Sequence, residues 1–135
     1  MAPGFPIVGV IGGGQLARMM ALAAAPLGLK CHIFAPKGDH PASDVSAAFT
    51  EAEYEDEAAL MRFASAVSAV TYEFENVPAS TATTLAQHKP LYPPARALAI
   101  AQDRLSEKQF FGELGFTTAP FAAVDATGSV AQAIA

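Results

Sequence analysis

The chain has 135 residues, 52% of them hydrophobic and 16% charged, which fits a well-packed globular domain and excludes a disordered chain. Its formal net charge of −5 and its eight scattered Lys and Arg residues argue against nucleic acid as the main partner, because phosphate binding needs clustered basic residues. No apolar run reaches the roughly 18 residues of a membrane span, and the single cysteine cannot form an internal disulfide, which favours a reducing cytoplasm.

The first third of the chain is typical of a βαβ unit. The apolar run IVGVI after Pro6 predicts a strand buried on both faces, and Gly12, Gly13 and Gly14 interrupt it. A helix follows and ends near Gly28, and residues 30–34 predict a second strand. The apolar stripe of this helix, which we expect to face the core, consists of Leu16, Met19, Met20, Ala23 and Leu27.

The rest of the chain continues to alternate between strands and helices. Further strands are predicted at residues 47–50, 69–74 and 91–92, and helices at 55–67, 78–88 and 95–114. This alternation predicts an α/β fold with an open, largely parallel, doubly wound sheet of the Rossmann-like type. Ligands are then expected at the carboxyl ends of the strands.

The last residues predict the start of a second domain. Ser129 to Gln132 spells S-V-A-Q, a capping-box pattern, and Val130 and Ile134 then stand one helical turn apart. We therefore assign residues 1–125 to one domain and residues 126–135 to the truncated start of the next. This pattern predicts that the chain is a piece of a longer protein.

The glycine-rich segment is the first candidate site. Residues 12–17 spell GGGQLA and match G-x-G-x-x-G/A between a strand and a helix, the setting of a phosphate or dinucleotide site. NAD would also need an acid about 20 residues later, but Ala35 and Pro36 stand there, and Lys37 is weak support for a 2′-phosphate. Three interpretations stay open: NAD(P), tight packing without a ligand and, the one we favour, another small ligand.

The second candidate site follows the strand predicted at residues 69–74. Glu73, Glu75 and Asn76 bring two carboxylates and an amide to its carboxyl end. A solvated strand end would explain this pattern equally simply. Because the carboxyl ends of parallel strands meet at one edge of a sheet, Glu73 and Gln15 of the glycine segment could converge on one ligand.

Other polar residues give weaker indications. Residues 103–108, DRLSEK, are explained most simply by a solvated amphipathic helix. His32, His40 and His88 lie far apart without metal-ligand spacing, so we assign no metal site. Cys31 lies in a predicted strand and is expected in the core, where it would not act as a nucleophile.

Three motifs together resemble one enzyme family. Residues 12–19, GGGQLARM, are similar to the opening motif of N5-carboxyaminoimidazole ribonucleotide synthetase, also called the ATPase subunit of phosphoribosylaminoimidazole carboxylase. Residues 71–77, TYEFENV, resemble its second motif, and residues 94–95 with 102–108 resemble its third. The order and spacing agree over nearly the whole chain. The resemblance implies an amino-terminal, pre-ATP-grasp substrate domain.

The resemblance also implies a reaction for the parent protein. The family carboxylates 5-aminoimidazole ribonucleotide with bicarbonate and ATP in de novo purine biosynthesis, through carboxyphosphate, with Mg²⁺ bridging the ATP phosphates. ATP and Mg²⁺ would be bound mainly by an ATP-grasp domain in cis beyond Ala135, so the 135-residue chain is expected to be inactive. The full-length protein is expected to form a homodimer.

Site residues follow from the resemblance by position. Those implied at the ribonucleotide are Gly14, Gln15, Leu16, Glu73 and Asn76. Arg104 is implied at the ATP phosphates as a charge-assisted donor, and no catalytic residue is expected within this chain. Ala35 departs from the aspartate that is common in the family, which leaves local loop contacts open.

Three alternatives stay open at this point. One is the formate-dependent glycinamide ribonucleotide transformylase of the same superfamily, although Tyr72 and Phe74 around Glu73 favour the carboxylating enzyme. Another is an NAD(P)-binding domain of an oxidoreductase. The third is a non-catalytic interaction module, in which an apolar surface could drive self-association.

Overall fold

The computed structural model describes residues 6–124, which fall into two compact units divided between Ala99 and Ile100. The strands are β1 (Ile7–Ile11), β2 (Lys30–Ala35), β3 (Ala48–Glu51) and β4 (Ala69–Tyr72). The helices are α1 (Gln15–Ala24), α2 (Glu57–Ala66), α3 (Ala79–Ala86), α4 (Ala95–Ala101) and α5 (Arg104–Glu113), with short 3-10 turns at Ala25–Leu27 and Ser43–Val45. The sheet belongs to the first unit and α5 to the second.

The sheet has four parallel strands in the order β3-β2-β1-β4. β1 is central, and its last residue, Ile11, pairs with Phe34 of β2 and Tyr72 of β4. Beyond β4, Leu91 forms an isolated parallel bridge with Val70. The predicted parallel α/β fold is confirmed, and the carboxyl ends of β1, β2 and β4 lie side by side at one edge.

Two buried clusters pack on the sheet. Successive residues of a strand point to opposite faces, so Ile11 and Phe34 belong to the first cluster and their neighbours Val10 and Ile33 to the second. The first cluster includes α2 and α3 and has an edge-to-face contact between Phe34 and Phe63, 5.3 Å between ring centroids. The second cluster is covered by α1. Helices on both faces make the sheet doubly wound.

The core face of α1 differs from the predicted stripe. Ala17 and Ala21 are the buried residues of α1, whereas Leu16, Met19 and Leu27 have 55%, 57% and 75% of their surface exposed. The prediction was therefore wrong for these three residues and for Ala23, which is also exposed, whereas Met20 is half-buried against the second cluster. Only three residues separate β1 from α1, and α1 packs on the sheet through Ala17 and Ala21, so small side chains fill the contact and the large ones are exposed.

Cys31 confirms its predicted place in the core. It is buried in the second cluster, and desolvation by burial raises the pKa of its thiol. A raised pKa leaves less thiolate, the nucleophilic form of cysteine, which agrees with a structural role.

The end of β4 also differs from the prediction. β4 ends at Tyr72, two residues earlier than predicted, because its neighbour β1 ends at Ile11. The Glu73 amide still donates to the Ile11 carbonyl at 3.0 Å. After Ile11, however, the chain pairs with β2 instead, because the Gly12 amide donates to the Phe34 carbonyl at 2.9 Å. The chain after Tyr72 therefore turns instead of continuing as a strand.

The bounds of β3, α2 and α3 lie within two residues of the predictions, whereas the strand predicted at residues 91–92 is reduced to the isolated bridge of Leu91. The segment predicted as one helical stretch, residues 95–114, forms α4 and α5, and the Asp103 carboxylate caps α5 by accepting from the Ser106 amide at 2.7 Å. The predicted capping box at residues 129–132 and the predicted boundary at residue 126 lie outside the described residues. Within residues 6–124, none of the helices combines the length and the apolar character that a membrane crossing requires.

His32 gives a testable pH dependence. It is buried in β2 with Nε2 2.8 Å from the Thr50 hydroxyl and its ring edge-on to Phe63. Desolvation lowers the pKa of His32 below its ordinary value of 6.5. The imidazole therefore binds a proton more readily in the unfolded chain than in the folded one. The stability that comes from burying neutral His32 is present above pH 6.5 and is lost as the pH falls through the lowered pKa.

We predict that the free energy of unfolding, measured by urea titration, decreases between about pH 7 and about pH 5, and that His32→Gln makes this decrease smaller. His88 is exposed, so His88→Gln is a matched control that keeps the original pH dependence. An equal effect of the two substitutions would contradict the assignment to His32.

Candidate functional site

The glycine loop connects β1 to α1 at the carboxyl edge of the sheet. Gly12 has a φ of +101°, in the region that side chains rarely adopt, and a Cβ there would lie 2.5 Å from Cγ of Glu73. Both constraints require glycine at this position. The turn at Gly12 brings Glu73, which follows β4, directly against the loop.

The Glu73 carboxylate binds the first turn of α1. Its Oε1 accepts a hydrogen bond from the Gly14 amide at 2.8 Å, and its Oε2 accepts one from the Ala17 amide at 2.7 Å. These amides belong to the N-cap residue and the third helical residue of α1, whose N–H groups have no partner within the helix. A negative charge is also favoured here by the helix dipole. Glu73 thus occupies the place of an anion bound by the glycine loop.

This arrangement disfavours a dinucleotide at the loop. The amides of Gly14 and Ala17 that could hold a pyrophosphate already bind the Glu73 carboxylate. A phosphate entering here would also meet a group of the same charge. Together with Ala35 at the end of β2, where NAD binding needs an acid, this geometry argues against the NAD(P) hypothesis.

A histidine lies against the other side of the loop. His40 Nε2 is 2.5 Å from the Pro36 carbonyl oxygen, which can only accept, so Nε2 carries the proton. A Cβ on Gly13 would lie 2.6 Å from His40 Nδ1, and the Gly13 carbonyl accepts from the Ala42 amide at 3.1 Å. Sequence reasoning considered His40 as a metal ligand and missed this packing role. The position of His40 shortly after β2, at the same edge of the sheet as the glycine loop, was the one feature of the sequence that indicated a contact with the loop.

Arg18 connects the same segment to α1. Its guanidinium donates to the Pro41 carbonyl at 2.8 Å and lies 3.4 Å from the Asp44 carboxylate. Arg18 belongs to the GGGQLARM motif, but its contacts were not predicted, because they join segments 23 and 26 residues apart. The segment after β2 is thus held against both the loop and α1.

Tyr54 was also missed and lies near Glu73. It is half-buried and stacks on Phe34, with 6.3 Å between ring centroids. Desolvation, together with the negative charge of Glu73, raises the pKa of Tyr54 to about 12. The phenol therefore stays protonated at neutral pH and can donate a hydrogen bond near the carboxylate.

The other residues proposed at the ribonucleotide lie around this contact. Gln15 and Leu16 are the first two residues of α1 and are exposed beside the amides that bind Glu73. Asn76 is exposed in the turn between β4 and α3, as is Glu75. The structure therefore brings Gly14 and Glu73 into contact and leaves the side chains of Gln15, Leu16 and Asn76 accessible.

Arg104 belongs to the second compact unit. It is the first residue of α5, its side chain is 78% exposed, and it forms an ion pair with Glu107 one helical turn later. Asp103 caps the same helix, and its hydrogen bonds with Ser106 lower the pKa of its carboxyl. Among residues 6–124, no group of three His, Cys, Asp or Glu side chains is placed to hold a metal ion.

The comparison with protein families agrees with this geometry. Residues 6–102 match the family described as the ribonucleotide synthetase preATP-grasp domain. The chain belongs to this family. The match contains the glycine loop and Glu73, and it ends just before Arg104.

Individual relatives of this preATP-grasp domain are ribonucleotide synthetases. The N5-carboxyaminoimidazole ribonucleotide synthase of Brucella melitensis is 48% identical over 118 residues, which are 87% of this chain and 33% of that protein. The crystal structure of the Thermus thermophilus synthetase has a TM-score of 0.85 and 49% identity, over 93% of this chain and 34% of the other. The Aspergillus clavatus enzyme, solved with ADP and 5-aminoimidazole ribonucleotide, has a TM-score of 0.76 and 25% identity, over 87% of this chain and 31% of the other.

The chain spans about one third of the length of the curated relatives it matches, between 33% and 35% for the bacterial synthases. The structural matches confirm the predicted Rossmann-like preATP-grasp fold. The bacterial relatives named above are described as an N5-carboxyaminoimidazole ribonucleotide synthase and a synthetase.

We predict that Gly12→Ala destabilises the preATP-grasp domain by about 2 kcal/mol or more, because the backbone is strained and the new methyl group meets Glu73. A methyl group added at Gly112 in α5 would meet no neighbouring atom within 4 Å, so Gly112→Ala should raise helix stability by about 0.5–1 kcal/mol. Urea unfolding followed by circular dichroism measures both. If both substitutions changed the free energy of unfolding in the same direction, the requirement for glycine at residue 12 would be contradicted.

Proposed function

We propose that this preATP-grasp domain binds the aminoimidazole ribonucleotide for an ATP-dependent ligase that carboxylates it with bicarbonate in de novo purine biosynthesis. The single observation that carries the proposal is the Glu73 carboxylate, held by two backbone amides at the mouth of the glycine loop beside Gln15. The Aspergillus clavatus relative, complexed with ADP and 5-aminoimidazole ribonucleotide, supports the same substrate.

The chemistry of Glu73 suits a ligand that donates hydrogen bonds. Each carboxylate oxygen accepts one hydrogen bond from the loop or α1, and each has further lone-pair capacity. The amine and the ribose hydroxyls of an aminoimidazole ribonucleotide are donors of this kind. A phosphate offers mainly acceptors and negative charge, so we place the phosphate of the substrate away from Glu73.

Neighbouring residues complete the proposed contact. Gln15 offers an amide donor and acceptor, and Leu16 offers an exposed apolar surface beside it. Asn76, with Glu75, is proposed to orient the substrate from the turn after β4. In this proposed arrangement, α1 and the turn after β4 supply substrate contacts on two sides of Glu73.

The nucleotide part of the reaction is proposed to lie mainly outside this chain. We propose that ATP and Mg²⁺ are bound by an ATP-grasp domain in cis, that bicarbonate is the co-substrate, and that the full-length protein is a cytoplasmic homodimer. Arg104 is proposed to contact the ATP phosphates, exchanging its exposed ion pair with Glu107 for a phosphate.

We predict that, in the full-length protein, Gln15→Ala raises the KM for 5-aminoimidazole ribonucleotide about tenfold, the cost of about 1.4 kcal/mol of lost hydrogen bonding. The KM for ATP should stay unchanged. Gln87, exposed after α3, provides the control variant Gln87→Ala, for which neither constant changes. Steady-state kinetics of ADP release measures both, and an unchanged KM for the ribonucleotide in Gln15→Ala would count against the proposal.

We also predict that the 135-residue chain does not release phosphate from ATP when 5-aminoimidazole ribonucleotide and bicarbonate are present. The reason is the proposed binding of ATP mainly by an ATP-grasp domain in cis. The full-length protein under identical conditions is the positive control. Turnover by the 135-residue chain would refute the proposed division of roles. Glycinamide ribonucleotide with formate, offered to the full-length protein, tests the transformylase alternative, and activity with that pair would favour it.

A further inference from the structure

The contact of Glu73 with α1 replaces a complete capping box. In a capping box, the side chain of the N-cap residue accepts from the third helical amide, and the side chain of the third helical residue accepts from the N-cap amide. In α1 these two residues are Gly14 and Ala17, which have no side-chain acceptor. The two oxygens of Glu73 accept from both amides, across 59 and 56 residues of sequence.

The glycines of the loop make room for this side chain. A Cβ on Gly12 would lie 2.5 Å from Cγ of Glu73, and one on Gly14 would lie 3.0 Å from its Oε1. In a dinucleotide site, the same glycine spacing lets a pyrophosphate approach the backbone. Here the group that approaches the backbone is a side chain of the protein itself.

Glu73 is fixed at both of its ends. Its backbone amide donates to the Ile11 carbonyl at 3.0 Å, which extends the pairing of β4 with β1 by one residue. Its carboxylate is then held by Gly14 and Ala17. The backbone position determined by the sheet and the carboxylate position determined by α1 are therefore coupled through one side chain.

We propose that Glu73 is an internal replacement for a bound phosphate, a positioning residue that closes the glycine loop to anions and dinucleotides and joins α1 to the turn after β4. This role goes beyond the proposed function, because it concerns which ligands the loop rejects. It also means that removal of the carboxylate turns the loop into a site for small anions such as formate or inorganic phosphate.

The first experiment is anion rescue of the 135-residue chain. Glu73→Ala should have a lower Tm than the wild type, and sodium formate should raise this Tm by about 3 °C or more beyond the effect of sodium chloride at equal ionic strength. Glu53 is exposed in the loop before α2, so Glu53→Ala is the control with the same change of charge. Equal effects of formate on the wild type and both variants would overturn the proposal.

The second experiment locates the anion and does not depend on Glu73→Ala being stable. In wild-type protein, inorganic phosphate should leave the NMR amide resonances of Gly14 and Ala17 unchanged, whereas in Glu73→Ala it should shift them. In Glu73→Gln, which keeps the size of the side chain, the hydrogen exchange of at least one of these amides should become faster. Phosphate binding at these amides in the wild type, or unchanged exchange in Glu73→Gln, would overturn the proposal.

Neither experiment uses the ribonucleotide. Failure of anion rescue would therefore leave the proposed substrate site intact, and failure of ribonucleotide binding would leave the internal role of Glu73 intact. The two proposals can be separated by their own measurements.

Discussion

The hydrogen bonds from Gly14 and Ala17 to the Glu73 carboxylate are the contact on which the carboxyl edge of the sheet depends. They satisfy the two amides at the start of α1 that the sequence of α1 leaves without a side-chain cap. They form directly after the end of β4 at Tyr72, and the loop has room for the Glu73 side chain because Gly12 lacks one. Three separate segments, the glycine loop, the start of α1 and the end of β4, thus meet at one carboxylate.

The order of the strands explains why this contact can form. β1 and β4 are adjacent parallel strands, so the residue after Tyr72 arrives beside the loop that follows Ile11. A strand inserted between them would place Glu73 about 5 Å further away, the spacing of neighbouring strands, and the carboxylate could not reach α1. The topology and the site are therefore parts of the same constraint.

The sequence predicted the fold better than it predicted the contacts of single residues. Apolar runs and glycine breaks locate β1, β2 and the parallel sheet correctly because they are local patterns. The apolar stripe of α1 failed because Ala17 and Ala21, which fit close to the sheet, were given less weight than larger residues such as Met19. A hydrophobic pattern shows that a face exists, but the distance between helix and sheet decides which side chains fill it.

The site was predicted in part for the same reason. Glu73 and the glycine loop were expected at one edge from topology, but the hydrogen bonds to Gly14 and Ala17 depend on the register of β1 with β4, which no local pattern encodes. His40 and Tyr54 were missed because their contacts with Gly13 and Glu73 are steric and electrostatic and follow no motif. Long-range polar contacts of this kind need the three-dimensional arrangement.

The glycine pattern itself has two physical meanings that the sequence does not separate. Glycines after a strand show that some group approaches the backbone closely, and that group can be a ligand or a side chain. Here the Glu73 carboxylate takes this place and accepts the hydrogen bonds that a phosphate would accept. At this point the edge of the sheet carries a carboxylate, which accepts hydrogen bonds, where a dinucleotide-binding protein offers backbone donors. At the Glu73 carboxylate itself, a ligand group that donates hydrogen bonds, such as an amine or a hydroxyl, is favoured over a phosphate, which would bring only acceptors and a like charge.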